Sequence, residues 1–301
     1  MSSLPEFAEL LDRLSAALGD GIHRTAVPNV ALVRSEVKRK QLHTIYRPSV
    51  CIVAQGAKRS IAGSSVLDYS PGQYLTVAVD LPVLGQVVKA SHAAPYLCLK
   101  VELDPGMLSD LVLERVTPAS ASAEPSLGLE VSRVSPEILD AAMRIAKLLE
   151  CPDRIDALAP LYQRELAYLL LEGPQGARLR QMALRESRSG QIAKAIRWIT
   201  QNFSAAISID DAAARAGMSA STFYQHFKAV TGLSPLQFQK QLRLQEARRL
   251  LVSGENDAAS ASFAVGYSSP QQFSREYARL FGAPPQRDAS QLRRNVASVV
   301  D

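Results

Sequence analysis

Two rows of polar side chains in the last third of the chain have the types and spacing to read the edges of base pairs. Wound as a helix, Ser221, Tyr224, Gln225 and Lys228 lie opposite an apolar stripe of Phe223, Phe227 and Val230. Gln271, Ser274 and Arg275, with Arg279 further along, lie opposite Phe273, Tyr277 and Leu280. Gln can pair two hydrogen bonds with adenine and Arg with guanine, while Ser and Tyr serve phosphate or base. Solvated polar surface is the competing reading for one row alone. Two copies on a basic background weigh against it.

Other chemistry is sparser. Cys51 and Cys98 sit within apolar runs. A small buried hydrophobe is the default there; an electrophile or redox sensor, which needs a lowered thiol pKa, is the alternative. Asp80 ends a strand-like run in VAVDLPV (77–83). It can contact a small ligand at an apolar mouth or cap the turn before Pro82. These three are the candidate ligand-binding residues. His23, His43 and His92 form no His-x-His pair, so no metal site is expected. With no Gly-rich phosphate loop, Ser-His-Asp order or Cys-x-x-Cys, the chain is expected to be no enzyme and to carry no cofactor.

The elements that must position these residues are legible in part. Ser208 caps a helix whose stripe is Ile209, Ala212, Ala213 and Ala216; Gly217 turns the chain, and Ser219 caps the next helix, which Gly232 ends. That is a helix-turn-helix. It recurs with Ala258, Ala261, Ser262 and Val265, then Gly266, then the Phe273 helix ended by Gly282. Phe227 to Tyr277, Gly232 to Gly282 and Pro235 to Pro285 are each 50 apart, whereas Gly217 and Gly266 are 49 apart. One extra residue therefore lies in the second turn. An amphipathic helix over 235–251 joins the units.

Upstream, Leu4 to Leu18 reads as a helix, and SVCIVAQG (49–56), QYLTVAV (73–79) and PYLCLKVEL (95–103) read as strands of a sandwich or small barrel. Pro105 to Leu113 reads as a helix, TPASASAEPS (117–126) as a loop, and two helices follow Ser135-Pro136. The second carries the stripe Leu158, Leu161, Glu165/Leu166 and Leu169, as core or dimer face. The polar, basic, Gly-bearing segment 173–188 reads as a linker.

Composition fits two globular domains. Apolar residues make up 47% and charged residues 21%, with no apolar run long enough to span a bilayer and no basic, greasy leader. Three scattered cysteines suggest a reduced, cytoplasmic protein. From Ser187 onward there are 14 Lys/Arg and 8 Asp/Glu, while the rest is near neutral. A basic third beside a neutral remainder suits a polyanion-binding module.

The stretches IDDAAARAGMSASTFYQHFKAVTGLSP (209–235), QKQLRLQEARRLL (239–251) and AVGYSSPQQFSREYARLFGAPP (264–285) resemble the AraC/XylS family of bacterial transcription regulators. RPSVCIVAQGAKRS (47–60), YSPGQYLTVAVDLPVLGQV (69–87) and PYLCLKVELDP (95–105) are similar to one of its N-terminal domain types. The resemblance implies an α+β chain. Residues 1–172 would form a cupin-like β-barrel with flanking helices (helical over about 135–172), a domain for effector binding or dimerisation. After a linker over 173–188, residues 189–295 would form the DNA-binding domain, with helix-turn-helix units at 209–231 and 258–281. By motif position, Ser221, Tyr224, Gln225, Gln271, Gln272 and Arg275 match the base-facing residues. With their neighbours, the candidate DNA-binding set is Ser221, Thr222, Tyr224, Gln225, Lys228, Gln271, Gln272, Ser274 and Arg275. Arg243, Arg248 and Arg249 are candidates for phosphate contact or for ion pairs on the linker helix. Ser262, Ala258 and Ala261 depart from the larger or apolar residues usual there, which predicts a loosely packed helix. The implied function is a sequence-specific transcription regulator, an activator responsive to a small molecule or chemical signal. Its partners would be double-stranded DNA, RNA polymerase, a small effector and a second copy of itself, with no membrane. The alternative is a constitutive regulator whose barrel only dimerises or contacts proteins.

Overall fold

The computed structural model describes residues 2–38, 41–114, 126–184, 187–254 and 256–297. Its N-terminal part is built from ten antiparallel strands in two sheets. These are β1 (Gly21–Arg24), β2 (Val30–Ser35), β3 (Leu42–Tyr46), β4 (Ser49–Gln55), β5 (Ala57–Ala62), β6 (Ser65–Tyr69), β7 (Gln73–Val77), β8 (Leu81–Lys89), β9 (Tyr96–Glu102) and β10 (Leu129–Arg133). One sheet runs β1-β2-β9-β4-β7-β10; the other runs β3-β8-β5-β6. The run SVCIVAQG does not alternate because β4 is central and covered on both faces. Val50, Ile52 and Ala54 belong to the core under the flanking helices, and Val53 to the core between the sheets.

Helix α1 (Leu4–Ser15) starts with a Ser3/Glu6 capping box and buries Phe7, Leu10 and Leu11. Helix α2 spans Pro105–Leu113, as its sequence predicts. Helices α3 (Pro136–Lys147) and α4 (Ile155–Glu172) complete the outer layer. Ser135 caps α3 through the Ile138 N–H. On α4 the buried face is Ile155, Ala159, Leu166, Ala167, Leu170 and Leu171, whereas Leu161 is exposed. The burial stripe is therefore rotated from the expected one, with Leu158 and Leu169 partly buried at its edge, because α4 packs on both α3 and α5. Most of the Ser/Ala/Pro-rich stretch 117–126 falls outside the described residues.

The segment 173–188 is more than a tether. It contains helix α5 (Gly176–Ala183), whose Leu179 and Met182 are buried. Six further helices follow: α6 (Arg188–Gln201), α7 (Ile209–Arg215), α8 (Ala220–Thr231), α9 (Pro235–Ser253), α10 (Ala258–Ala264) and α11 (Pro270–Phe281), before α12 (Pro285–Ala297) closes the chain. The apolar packing divides in an unexpected place. Val53, Leu75, Leu81 and Cys98 of the barrel share one cluster with Ile196, Phe223, Phe227 and Phe238 of the first helix-turn-helix unit. The second unit has its own cluster, with Leu244, Leu251, Val265, Phe273 and Tyr277.

Candidate nucleic-acid interface

Each helix-turn-helix is set by local chemistry. Ser208 caps α7 through the N–H groups of Asp210 and Asp211, and Ser219 caps α8 through Thr222. Asp257 caps α10 and Ser269 caps α11. Gly232 and Gly282 end α8 and α11 in the left-handed conformation, at φ +73° and +79°. Starts of α7 and α10 are 49 residues apart, and starts of α8 and α11 are 50 apart, so the extra residue lies in the second turn. On α10, Ser262 is buried and returns its hydroxyl to the Ala259 carbonyl at 2.7 Å, which satisfies the polar atom in a position that small residues fill.

Burying Phe223, Phe227 and Val230 turns the opposite side of α8 to solvent. Ser221, Tyr224, Gln225 and Lys228 are exposed there, Tyr224 at 44%. Thr222 is half-buried, and its hydroxyl accepts from Ser219 at 2.9 Å. Burying Phe273 and Tyr277 likewise exposes Gln271, Gln272, Arg275 and Arg279, with Ser274 half-buried. Gln272 donates to Glu276 at 3.2 Å. Glu276 also receives Lys240 at 3.1 Å and the Tyr267 hydroxyl at 2.8 Å, tying α11 to α9 and to the turn. Among the described residues, no internal hydrogen bond engages the side chains of Gln225, Lys228, Gln271 or Arg275. Their donors and acceptors are left for a partner.

The linker-helix arginines are used internally. Arg243 donates to the carbonyls of Phe203 (2.7 Å), Gly266 (2.9 Å), Ser204 (3.2 Å) and Ala205 (2.9 Å). It therefore clamps the chain after α6 to the turn of the second unit. Arg248 forms a paired bridge with Asp288, and Arg249 pairs with Glu246 on its own helix. Arg248 and Arg249 are thus ion-paired, and Arg243 is engaged by backbone carbonyls. Arg243→Ala should lower unfolding stability by about 2–3 kcal/mol, because four backbone carbonyls lose a charged donor. The salt dependence of DNA affinity should stay unchanged; loss of a phosphate contact would instead reduce that slope by about one. Urea unfolding and a salt titration of DNA affinity separate the two.

Contacts between barrel and helices are the feature that spacing rules missed. The Gly128 N–H, in the chain before β10, donates to the Val230 carbonyl at the end of α8 at 2.8 Å. Gly63, in the β5–β6 turn, packs directly on Gly232, the cap of the same helix. From β3, His43 stands edge-on to Phe281 at the end of α11, with ring centroids 5.3 Å apart. Burial, with Arg248 adding to it, holds the His43 pKa below the ordinary range. Both exposed polar helices are thus held by their C-terminal ends. No sequence periodicity links residues more than a hundred apart.

The barrel candidates separate into two places. Cys51 and Cys98 face inward on adjacent strands. Asp80, in the bend between β7 and β8, lines an open groove of about 690 Å³ between the barrel and the helices α6 and α9. Arg47, Arg197, Thr200, Gln245 and Arg249 also line it. Burial raises the Asp80 pKa, and Arg47 and Arg197 oppose the shift. The Thr200 hydroxyl and the Gln245 amide nitrogen are buried there without a partner. The barrel histidines stand apart from one another: His23 meets the Gly19 carbonyl, His92 pairs with Glu36, and His43 stacks on Phe281.

Residues 26–178 match the AraC-type transcriptional regulator N-terminus, and residues 212–291 match a helix-turn-helix domain. The first match alone spans half of the chain. The chain belongs to the family of AraC-type transcriptional regulators. It is similar to the virulence regulon transcriptional activator VirF of Yersinia enterocolitica, with 27% identity over 174 residues, which is 58% of this chain and 63% of VirF. It is also similar to the transcriptional activator RhaS of Escherichia fergusonii, with 31% identity over 110 residues, 35% of this chain and 40% of RhaS. The match thus spans less than two thirds of each relative. Among solved structures, ToxT from Vibrio cholerae with bound unsaturated fatty acid aligns at a TM-score of 0.57 and 8% identity, covering 87% of this chain and 93% of ToxT. A second ToxT structure gives 0.59 at 9% identity, covering 86% and 97%. That likeness is one of fold: this AraC-type chain has the same β-rich N-terminal part and helical C-terminal part. Among the described residues, no helix is long and apolar enough to cross a membrane.

Proposed function

We propose that this AraC-type regulator binds double-stranded DNA sequence-specifically through α8 and α11 and activates transcription in response to a signal sensed by its N-terminal domain. The observation that carries the reading is the repeated exposed row on two helices whose opposite faces are locked by buried aromatics. Ser221, Tyr224, Gln225, Gln271 and Arg275 are the base-reading residues, with Gln272 and Ser274 at the edge of the second row. Thr222 supports the α8 cap, and Lys228 serves phosphate. The two helices enter successive major grooves about 34 Å apart, one helical turn. Activation is supported by the relatives named as activators, and it implies contact with RNA polymerase. Dimerisation through the N-terminal domain is part of the same proposal.

The Asp80 groove is the proposed effector site. It touches the barrel, α6 and the helix that joins the two units, so a ligand there bears on all three. ToxT, crystallised with an unsaturated fatty acid, supports a small-molecule effector in this fold.

Selection of bound fragments from host DNA by the full-length protein tests the reading. A defined site of about two helical turns is expected; uniform recovery counts against it. Gln225→Ala or Arg275→Ala should then cost about 1–3 kcal/mol at that site and much less on random DNA. Equal losses on both would make them phosphate contacts. A thermal shift with effector, abolished by Asp80→Ala, distinguishes the responsive regulator from a constitutive one.

A further inference from the structure

The barrel interior holds reactive side chains that the DNA-binding reading leaves unused. In the β4–β9 register Cys51 lies opposite Lys100 and Cys98 opposite Val53, so the cysteines share the inward face as diagonal neighbours. Both belong to the apolar cluster between the two sheets. The Cys98 thiol donates to the Leu99 carbonyl oxygen at 3.6 Å. From the facing sheet, Lys58 of β5 reaches inward, with Nζ 5.3 Å from the Tyr46 ring centroid. Burial pulls the Lys58 pKa down, and Tyr46, Cys51 and Cys98 together more than offset it. Tyr69 and Tyr96 are buried in the same cluster. A buried ammonium is costly unless an anion shares its site, and a thiolate is the anion at hand.

We propose that Cys51 and Cys98 form a thiol–disulfide site inside the barrel, in which the Cys51 thiolate, balanced by Lys58, reduces a small hydroperoxide and Cys98 resolves the product. In the first step the Cys51 sulfur attacks a peroxide oxygen. An S–O bond forms and the O–O bond breaks. The sulfur loses two electrons and becomes a sulfenic acid. The departing alkoxide or hydroxide takes up the proton that Cys51 released and leaves as an alcohol or water. In the second step the Cys98 sulfur attacks the Cys51 sulfur. The S–S bond forms, the S–O bond breaks, and the leaving hydroxide departs as water with the Cys98 proton. Two thiols and one hydroperoxide give one disulfide, one alcohol (or water) and one water.

The two sulfurs are differently prepared. The neighbouring Cys98 thiol, with the Lys58 and Lys100 ammonium groups, pulls the Cys51 thiol down to about 7. Cys98 is held well above the ordinary range by Cys51 and by burial. At neutral pH one is poised as nucleophile and the other stays protonated. Diagonal cross-strand neighbours typically have Cα atoms about 7–8 Å apart, above the usual disulfide limit of about 6.8 Å. The excess lies along the strands, so closure shifts β4 along β9, beside the register shift already present between Val53 and Gln55. The sulfurs lie in the cluster that contains Phe223 and Phe227 of α8, so the movement has a packed route to the recognition helix. The chemistry itself does not depend on the DNA-binding proposal.

The test uses reduced full-length protein, hydrogen peroxide as the probe, and differential thiol labelling read by peptide mass spectrometry. The expected product is a Cys51–Cys98 disulfide with Cys151 still free. Iodoacetamide labelling of Cys51 should be half-maximal near pH 7, in line with its lowered value. Cys98→Ser should accumulate a Cys51 sulfenic acid that a 1,3-dione captures. Lys58→Met should slow Cys51 oxidation at pH 7 about tenfold and Lys58→Arg should restore it, since one pKa unit is a tenfold change in thiolate. Oxidation of Cys151 ahead of Cys51, or an ordinary thiol midpoint for Cys51, overturns the proposal. The midpoint is read on the unaltered protein, so a variant that fails to fold leaves that test standing.

Discussion

Asp288→Ala is expected to cost about 3–5 kcal/mol and to unfold the second helix-turn-helix unit before the rest of the chain, because it strands a nearly buried guanidinium. Asp288 is 6% exposed in the first turn of α12. Its carboxylate accepts from Arg248 Nε at 2.8 Å and Nη2 at 2.9 Å, and from the Tyr277 hydroxyl at 2.8 Å. The Arg248 side chain is only 15% exposed and lies over the Phe281 ring. Burial and the Asp288 hydrogen bond hold the Tyr277 phenol well above its ordinary range. The second unit has a separate, smaller apolar cluster than the first, so this polar knot makes up more of what fixes α11. Hydrogen exchange, with global unfolding in urea, should show α10–α12 opening first. Arg248→Met combined with Asp288→Leu should recover much of the loss, since an apolar pair of similar volume removes both desolvation costs. A loss below about 1 kcal/mol for Asp288→Ala alone, the size of a surface pair, would refute the assignment.

Gly63→Val is expected to undock the barrel from the first recognition helix while leaving each folded. Gly63 sits at φ +57°, where a β-branched residue is strained. A Cβ there would fall on the Gly232 carbonyl and within 2.8 Å of the Gly232 Cα, backbone that cannot swing aside. Strain and overlap together come to about 2–4 kcal/mol, which separation of the surfaces relieves. The Gly128–Val230 hydrogen bond is lost with them. The measurement is two thermal transitions in place of one, with faster proteolysis around 173–188. Specific DNA affinity should change too, since α8 is no longer held by its end. A single transition with unchanged affinity would mean that the contact positions nothing.

The sequence by itself determined whatever is written in local spacing. Ser219 and Ser269 mark helix starts because their hydroxyls satisfy free N–H groups three residues on. Gly232 and Gly282 mark ends because their φ is positive. The 49- and 50-residue offsets located the second turn to the residue. Gln225 and Arg275 fell on exposed faces because the aromatics opposite them had to be buried. Tertiary structure alone decided the rest. Arg243, Arg248 and Arg249 look alike as basic residues on one helix. Only the carbonyls of Phe203 and Gly266, the Asp288 carboxylate and the position of Glu246 tell what each does. The α4 stripe was misplaced because several helical faces are apolar enough, and the packing of α3 and α5 chose among them. The meeting of Cys51 and Cys98 with Lys58, and the seating of Gly63 on Gly232, join segments with no shared period. Such contacts arise from closing one sheet on another and burying one apolar cluster, and chain folding settles them only as a whole.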